Sequence, residues 1–179
     1  MDLRITKTES AIKSAFIELR SSKPLEKITV KELCQLACIN KSTFYSHYQD
    51  IYALSDALEE ETVSSIINSI AHPEYIRDKM AEFARELCMA FISQKTLTTI
   101  LFSGNARNRF ADQIESGIKE MIYEKYPEYR TDAIKNIILC YCIQGSYHAF
   151  TKNSDVDTQT LISVIEQISG RLQSLYRTK

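Results

Sequence analysis

The sequence contains 179 residues, of which 44% are hydrophobic and 25% are charged, and its formal net charge is −1. This composition is typical of a folded globular chain and argues against a disordered one. Only 4 Gly and 3 Pro occur, whereas β-sandwiches and dinucleotide-binding enzymes need frequent turns and phosphate-binding glycines. No apolar run approaches the roughly 20 residues of a membrane span, and the N-terminal segment has no apolar core of a secretory signal. We therefore expect a cytoplasmic protein with no membrane partner.

The charge is distributed unevenly along the chain. Residues 1–48 contain 8 Lys and Arg against 5 Asp and Glu, whereas residues 49–179 contain 14 against 18. The balance is therefore +3 in the first segment and −4 in the second. A basic segment attached to an acidic remainder indicates that only one end of the chain meets a polyanion.

The cysteines follow no metal-binding or redox spacing. They are Cys34, Cys38, Cys88, Cys140 and Cys142. The first two could lie on one helix face, but no second Cys or His pair stands near them in the sequence. We expect reduced, mostly buried thiols and predict neither a metal nor a cofactor, with a redox sensor and a metal site as the alternatives.

Hydrophobic periodicity predicts helices from the N-terminus onward. A first helix is predicted over residues 4–20, and Pro24 ends it because proline disfavours a helical residue before it. Thr29 is a suitable N-cap for a second helix over residues 30–37. Glu32 stands three positions later, which completes a capping box.

Further helices follow at short intervals. Asn40 is an N-cap for a brief helix over residues 41–47, and Asp50 caps a longer one that ends near residue 71. After His72-Pro73, helices are predicted at about residues 74–93, 95–102, 105–126, 130–152 and 157–177. No segment has the pattern of a strand, so we predict an all-α fold of about nine helices in two layers.

The helices at residues 30–37 and 41–47 form a helix-turn-helix, because both are short and a tight turn joins them. Within the second helix, Phe44 is expected to face inward, as is Ile39 in the turn. The residues expected to face outward are Lys41, Ser42, Thr43, Tyr45, Ser46 and His47. A cation, hydroxyls and aromatic edges can reach bases and phosphates in a major groove. The alternative is an ordinary surface helix.

Four pieces of sequence in and around these helices form a recognisable pattern: ITVKEL at residues 28–33, Leu36-Ala37, INKSTFYSHY at residues 39–48, and Leu54. Together they closely resemble the DNA-binding domain of the TetR family of transcriptional regulators. The resemblance covers about residues 10–58, while the remainder agrees with the family only in length and helical character. It implies a homodimer that binds a palindromic operator in double-stranded DNA, usually to repress transcription. It also implies release by a small-molecule effector. We accordingly predict a helix-turn-helix domain at residues 1–50 and a ligand-binding and dimerisation domain at residues 51–179.

The resemblance also implies roles for single residues. Base contacts are implied for Lys41, Ser42 and Tyr45, and phosphate contacts or their support for Thr29, Thr43, His47 and Tyr48. Cys38 stands where the family commonly has a glycine in the turn, which costs about 1 kcal/mol if that turn needs positive φ. Ile51 stands where the family often has a phosphate-binding lysine, so affinity would depend on Lys7, Lys27 and Lys31 or on backbone N–H groups of the fourth helix.

The last two predicted helices carry apolar residues on more than one side. On the last helix Leu161, Ile165, Ile168, Leu172 and Leu175 stand at alternating spacings of four and three, which is typical of a seam for another helix. The preceding helix is apolar nearly all round at residues 134–143 and must be covered on both sides. We predict a homodimer interface that includes Gly145, Ala149, Leu161, Ile165, Ile168 and Leu172. Packing within a monomer is the alternative.

The effector and its site are not predictable from this sequence. Aromatic and methionine side chains in the body could line a cavity for a small apolar or aromatic effector, but the same spacing is typical of a plain core. Catalytic motifs of hydrolases, metalloproteases and nucleotide-binding enzymes are absent, which argues against an enzyme. The alternative to a repressor is a TetR-like protein that activates transcription or acts through protein–protein contact with weak or no DNA binding. The isoleucine at position 51 keeps that alternative open.

Overall fold

The computed structural model describes residues 3–102 and 106–176 of the chain. Within these ranges all regular secondary structure is helical and comprises eleven α-helices. They are α1 (Leu3–Ser22), α2 (Val30–Leu36), α3 (Lys41–His47), α4 (Ile51–Asn68), α5 (Tyr75–Asp78), α6 (Met80–Ser93), α7 (Lys95–Leu101), α8 (Ala106–Lys125), α9 (Glu128–Thr131), α10 (Ala133–Lys152) and α11 (Thr158–Leu172). Single 3-10 turns lie at Leu25–Lys27 and Gln173–Tyr176. The predicted all-α fold is confirmed.

The count exceeds the predicted nine because two predicted helices are each divided in two. Lys79, with φ −134° and ψ 57°, separates α5 from α6. Asp132, with φ −85° and ψ 106°, separates α9 from α10. The Asp132 carboxylate accepts hydrogen bonds from the backbone N–H groups of Ile134 and Lys135, so α10 begins as a newly capped helix. The apolar periodicity continues across both breaks and does not reveal them.

The chain divides into two compact units. The first contains Met1–Thr62 and Thr96–Ala106, and the second contains Val63–Lys95 and Arg107–Lys179. The division falls within α4. These units are defined by contacts between residues, not by function. The division into a DNA-binding domain at residues 1–50 and a ligand-binding and dimerisation domain at residues 51–179 therefore stays a prediction.

In the first unit, α1 packs against α2 and α2 packs against α3. The side chains at the centre are fully excluded from solvent; they are Ile12, Phe16, Leu33, Phe44 and Leu54. Ile51, at the start of α4, is only 5% exposed and belongs to the same core. An apolar residue at this position therefore contributes to packing, which explains its presence where a surface lysine was expected.

In the second unit, α6 packs against both α10 and α11, which also contact each other. Aromatic side chains of this unit are buried, among them Phe91 on α6, Phe110 on α8 and Tyr147 on α10. The Tyr147 ring centroid lies 5.6 Å from that of Phe91 and 5.3 Å from that of Phe110. Met89 on α6 and Tyr141 on α10 are instead exposed, so these side chains do not line an interior cavity.

The cysteines are free, and three of the five are buried. Burial raises the pKa of the Cys88 thiol to about 12 and that of the Cys142 thiol to about 11. Such thiols stay protonated near neutral pH and react slowly. Across residues 3–102 and 106–176, no helix is both long and apolar enough to cross a bilayer.

Candidate nucleic-acid interface

The helix-turn-helix starts at a capping box that the sequence predicts correctly. The Glu32 backbone N–H donates to Thr29 Oγ1 over 3.3 Å, and Glu32 Oε2 accepts from the Thr29 backbone N–H over 3.4 Å. Lys23 Nζ lies 2.8 Å from the other carboxylate oxygen, Glu32 Oε1. These bonds satisfy N–H groups that have no partner within α2 and fix where the helix begins.

The turn between α2 and α3 has the left-handed geometry that favours glycine. Cys38 has φ 54°, and no other non-glycine residue in the described part of the chain has positive φ. The Ile39 N–H donates to the Cys34 carbonyl over 3.0 Å, and the Cys38 N–H donates to the Gln35 carbonyl over 3.3 Å. This pair of bonds is the Schellman motif, which ends a helix through a left-handed residue. The turn therefore keeps its geometry without glycine, at a cost of about 1 kcal/mol.

Asn40 begins α3 and also orders the polar groups of its first turn. Its Oδ1 accepts from the Thr43 backbone N–H over 2.7 Å, as the predicted N-cap requires. The same oxygen accepts from Ser42 Oγ over 2.7 Å and from Thr43 Oγ1 over 2.9 Å. Both hydroxyls are held in one orientation, so their lone pairs remain available to accept from an outside donor. The sequence indicates the cap but not these two additional bonds.

The outer face of α3 carries the residues that the sequence assigns to base contacts. Lys41, Ser42 and Tyr45 are all exposed, and the Tyr45 side chain is 56% exposed. The Tyr45 ring stands edge-on to the buried Phe44 ring, with 5.5 Å between centroids. One helix thus presents an ammonium, a hydroxyl and a phenol to solvent, while a single aromatic side chain anchors it to the core.

The residues assigned to phosphate contacts differ from one another in how exposed their side chains are. Thr29 is exposed at the start of α2, whereas Thr43, His47 and Tyr48 are half-buried. Tyr48 is the C-cap of α3, and its ring centroid lies 6.3 Å from that of His47. Burial raises the pKa of the Tyr48 hydroxyl.

The first unit also carries exposed cations outside α3, and α4 begins four residues after α3 ends. Lys7, Lys27 and Lys31, which the sequence offers as substitutes for a missing lysine anchor, are all exposed. Asp50 Oδ1 accepts from the Ala53 N–H over 2.8 Å, which confirms the predicted cap of α4. Tyr52 in the first turn of α4 is 53% exposed, and no sequence pattern distinguishes it from its buried neighbour.

The residues predicted for a dimer interface lie on two different faces of α10 and α11. Leu161 and Ile165 are buried within the chain, because α11 uses that side to pack against α6 and α10. Ala149 and Leu172 are half-buried, and Gly145 and Ile168 are exposed. The large apolar side chains that these helices leave exposed are Ile134, Ile137, Tyr141, Val164 and Ile168, which we call the α10–α11 apolar face.

No protein-family model matches the sequence. A curated relative is the HTH-type dhaKLM operon transcriptional activator DhaS of Lactococcus lactis subsp. lactis (strain IL1403), which is 23% identical over 167 residues. That alignment covers 92% of this chain and 88% of the relative.

Solved structures share the fold at low sequence identity. A transcriptional regulator of the TetR/AcrR family from Aquifex aeolicus VF5 matches with a TM-score of 0.62 and 20% identity, over 89% of this chain and 96% of that one. The dihydroxyacetone kinase operon activator DhaS matches with a TM-score of 0.51 and 19% identity, over 95% and 90% of the two chains. The likeness extends over nearly the whole length of each chain, beyond the helix-turn-helix segment.

Proposed function

We propose that this chain, which has the fold of the TetR/AcrR-family transcriptional regulators, is a transcriptional regulator that binds a palindromic operator in double-stranded DNA as a homodimer. The observation that carries the proposal is the outer face of α3. Lys41, Ser42 and Tyr45 stand exposed together on a capped helix that follows a left-handed turn. We assign no catalytic activity, metal or cofactor, and a regulator of this kind works in the cytoplasm, where it meets the chromosome.

We propose that the outer face of α3 reads base edges. The Lys41 ammonium can donate to guanine O6 and N7. The Ser42 hydroxyl, whose hydrogen is donated to Asn40, can accept, and the Tyr45 hydroxyl can donate or accept. Thr29, Thr43, His47 and Tyr48 would contact the phosphate backbone or support the residues that do. The exposed cations Lys7, Lys27 and Lys31 would add further phosphate contacts. Contacts of this second kind position the protein without selecting a sequence.

A second copy of the chain would cover the α10–α11 apolar face. Its five large side chains are between 47% and 68% exposed on two helices that contact each other, and exposed apolar side chains grouped in this way are typical of an interface. Gly145 lies on the same side of α10 as Ile137 and Tyr141, and its missing side chain allows another helix to approach closely. A two-fold axis supplies two copies of α3, which a palindromic operator requires.

We further propose that residues 51–179 form the effector-binding and dimerisation domain, and that a small apolar or aromatic molecule releases the DNA. The rings of Phe91 and Phe110 both pack against that of Tyr147 in the interior of this domain, and an apolar or aromatic molecule is the kind of ligand that would pack among them. In this form the protein is a repressor whose effector induces transcription.

A second candidate is an activator, and the comparisons favour it in one respect. DhaS, which is similar to this chain in sequence and in fold, is described as an activator of its operon. An activator would use the same outer face of α3 but would raise transcription, through contact with another protein.

A gel-shift titration on the DNA that flanks the protein's own gene tests the proposal. We expect a specific complex that Lys41→Ala and Tyr45→Ala weaken and that Lys152→Ala, an exposed lysine at the end of α10, leaves intact. Absence of any specific complex would contradict DNA binding. A reporter driven by the bound promoter then shows whether the protein represses or activates transcription, since deletion of a repressor raises expression and deletion of an activator lowers it.

A further inference from the structure

Gly145 stands in the interior of α10, where a glycine weakens a helix. Glycine loses more backbone freedom on folding than alanine does. The φ angle of Gly145 is not positive, so its backbone conformation is one that any residue can adopt. Neither helix formation nor backbone geometry therefore explains a glycine at this position.

The other two glycines of the described ranges have a reason within the chain. A Cβ atom at Gly117 on α8 would collide with Cδ1 of Ile67 on α4. A Cβ atom at Gly170 on α11 would lie 3.4 Å from the Cβ atom of Ala81 on α6. Both glycines therefore stand where two helices of the second unit approach each other closely.

Gly145 has no such neighbour. Among the described residues, a Cβ atom at Gly145 would meet only Cε1 of Tyr141, at 3.9 Å, which is an ordinary van der Waals separation. Gly145 is also exposed, so the space beside it opens to solvent. A single copy of the chain has room for a side chain at this position, and what needs the gap must come from outside that copy.

The exposed side of α10 carries no Lys, Arg, Asp or Glu between residues 133 and 148. Its exposed residues there are Ala133, Ile134, Ile137, Tyr141, Gly145 and His148. The exposed residues of α8, a helix of equal length, include Arg109, Asp112, Glu120, Glu124 and Lys125. An uncharged face suits contact with a second copy in particular, because a two-fold axis brings identical residues together and like charges would repel.

We propose that α10 crosses the α10 helix of a second copy at Gly145, close to the two-fold axis of the dimer. This inference deepens the proposed homodimer and rests on it. One missing side chain permits close approach at one point, so the two helices cross there and do not run side by side. Tyr141 and His148 lie one turn to either side of Gly145 and pack against the helix of the second copy.

A larger side chain at Gly145 distinguishes this crossing from a flat apolar contact. In a flat contact, Gly145→Leu adds apolar surface and leaves the dimer unchanged or makes it tighter. At a close crossing, the same side chain forces the two helices apart and weakens the dimer. Sedimentation equilibrium measures the dissociation constant of the dimer, and circular dichroism shows that each variant keeps its helices.

We expect Gly145→Ala to raise the dissociation constant by about tenfold and Gly145→Leu by at least about a hundredfold. The matched control is Ser116→Leu, which places the same side chain at an exposed position of α8 and should leave the dimer unchanged. A dissociation constant that Gly145→Leu lowers or leaves unchanged would overturn the crossing while the homodimer stands. An unaltered protein that is monomeric would refute the proposed homodimer and the crossing with it.

The stability of the single chain should change in the opposite direction. In Ile168→Glu, which we expect to be monomeric, the addition of Gly145→Ala should raise the urea concentration at the midpoint of unfolding, because alanine favours the helix and its Cβ atom has room. A lowered midpoint would show that the chain itself needs glycine at this position and would contradict the inference.

Disulfide cross-linking locates the crossing along α10. The background is Cys38→Ala with Cys140→Ala, which removes the two cysteines that are not buried. At concentrations at which the variant associates, Gly145→Cys should give a linked dimer on mild oxidation, since a disulfide needs Cα atoms about 4.4–6.8 Å apart. Ile134→Cys, about 16 Å away along the helix, should link far more slowly. Linking at residue 134 as fast as at residue 145 would overturn the crossing.

Discussion

Cys38 has a backbone conformation that L-residues seldom adopt, and its side chain makes little contact that could offset the free-energy cost of that conformation. The residue is exposed, and its thiol lies 4.0 Å from the Leu36 carbonyl oxygen, too far for more than a weak contact. The hydrogen bonds of the turn come from the backbone, so they do not require this side chain.

We predict that Cys38→Gly raises the free energy of unfolding by about 0.5–1 kcal/mol, because glycine adopts positive φ without a steric penalty. Cys38→Ala is the matched control, since it removes the thiol but keeps the Cβ atom that causes the strain. Urea unfolding of the two variants measures the difference. A glycine variant no more stable than the alanine variant would show that the turn relaxes in solution.

Lys41 is exposed at the first position of α3, where a side chain can enter a groove. We predict that Lys41→Ala weakens operator binding by about 1–3 kcal/mol and relaxes the preference at one base pair of each half-site. Competition with duplexes substituted at single positions measures both effects. Equal weakening on every duplex would identify Lys41 as a phosphate contact.

At the scale of elements, α11 has one apolar side that packs within the chain and another that is exposed. Ile165 is 5% exposed and packs within the chain, whereas Ile168 is 49% exposed on the α10–α11 apolar face. We predict that Ile168→Glu dissociates the dimer and abolishes specific operator binding, because a buried, unpaired carboxylate opposes association. Sedimentation velocity should show a folded monomer.

The matched control is Ile165→Ala, which should lower the free energy of unfolding by about 2–5 kcal/mol through the cavity it leaves. At protein concentrations and temperatures at which it stays folded, it should sediment as a dimer. An unaltered protein that is monomeric at micromolar concentration would refute the assembly.

Lys13 Nζ lies 2.8 Å from Glu9 Oε1 on α1 and 2.5 Å from Glu61 Oε1 on α4, and these ion pairs predict a pH dependence. Because the folded pKa of Glu9 is below its ordinary value of 4.5, its stabilising contribution is complete above 4.5 and is lost as pH falls through the lowered value. We predict that the difference in unfolding free energy between the unaltered protein and Glu9→Gln is largest at neutral pH and shrinks below pH 4.5. Chemical denaturation across this range measures it, and a pH-independent difference would contradict the assignment.

The elements predicted correctly are those whose signals are local. The caps at Thr29, Asn40 and Asp50 each bond a group only three residues away, so a short window of sequence contains both partners. The break at Asp132 also had a local signal, a capping side chain, but the continuing apolar periodicity masked it.

Features that depend on distant partners were not predictable in the same way. The inward side of α11 is determined by α6, which is far away in the sequence, so the seam pattern could not indicate which side remains free. Lys13 and Glu61 are 48 positions apart and belong to no motif. The burial of Ile51 beside the exposed Tyr52 likewise follows from how α4 packs, since both residues are apolar enough for either place.

For the whole molecule, the segregation of charge has a direct consequence. The basic balance of residues 1–48 coincides with the segment that carries the outer face of α3, while the remainder of the chain is acidic. A protein that binds a polyanion through such a segment releases counterions from DNA, and added salt then opposes binding.

The salt dependence of binding to the DNA that flanks the protein's own gene tests DNA recognition most directly. Fluorescence anisotropy across a range of salt concentrations gives the slope of log affinity against log salt. Two subunits that together make about 6–10 phosphate contacts should lose roughly 10³–10⁵ in affinity between about 50 and 200 mM salt. A flat dependence, or no binding at the lowest salt, would contradict the assignment of this chain as a DNA-binding regulator.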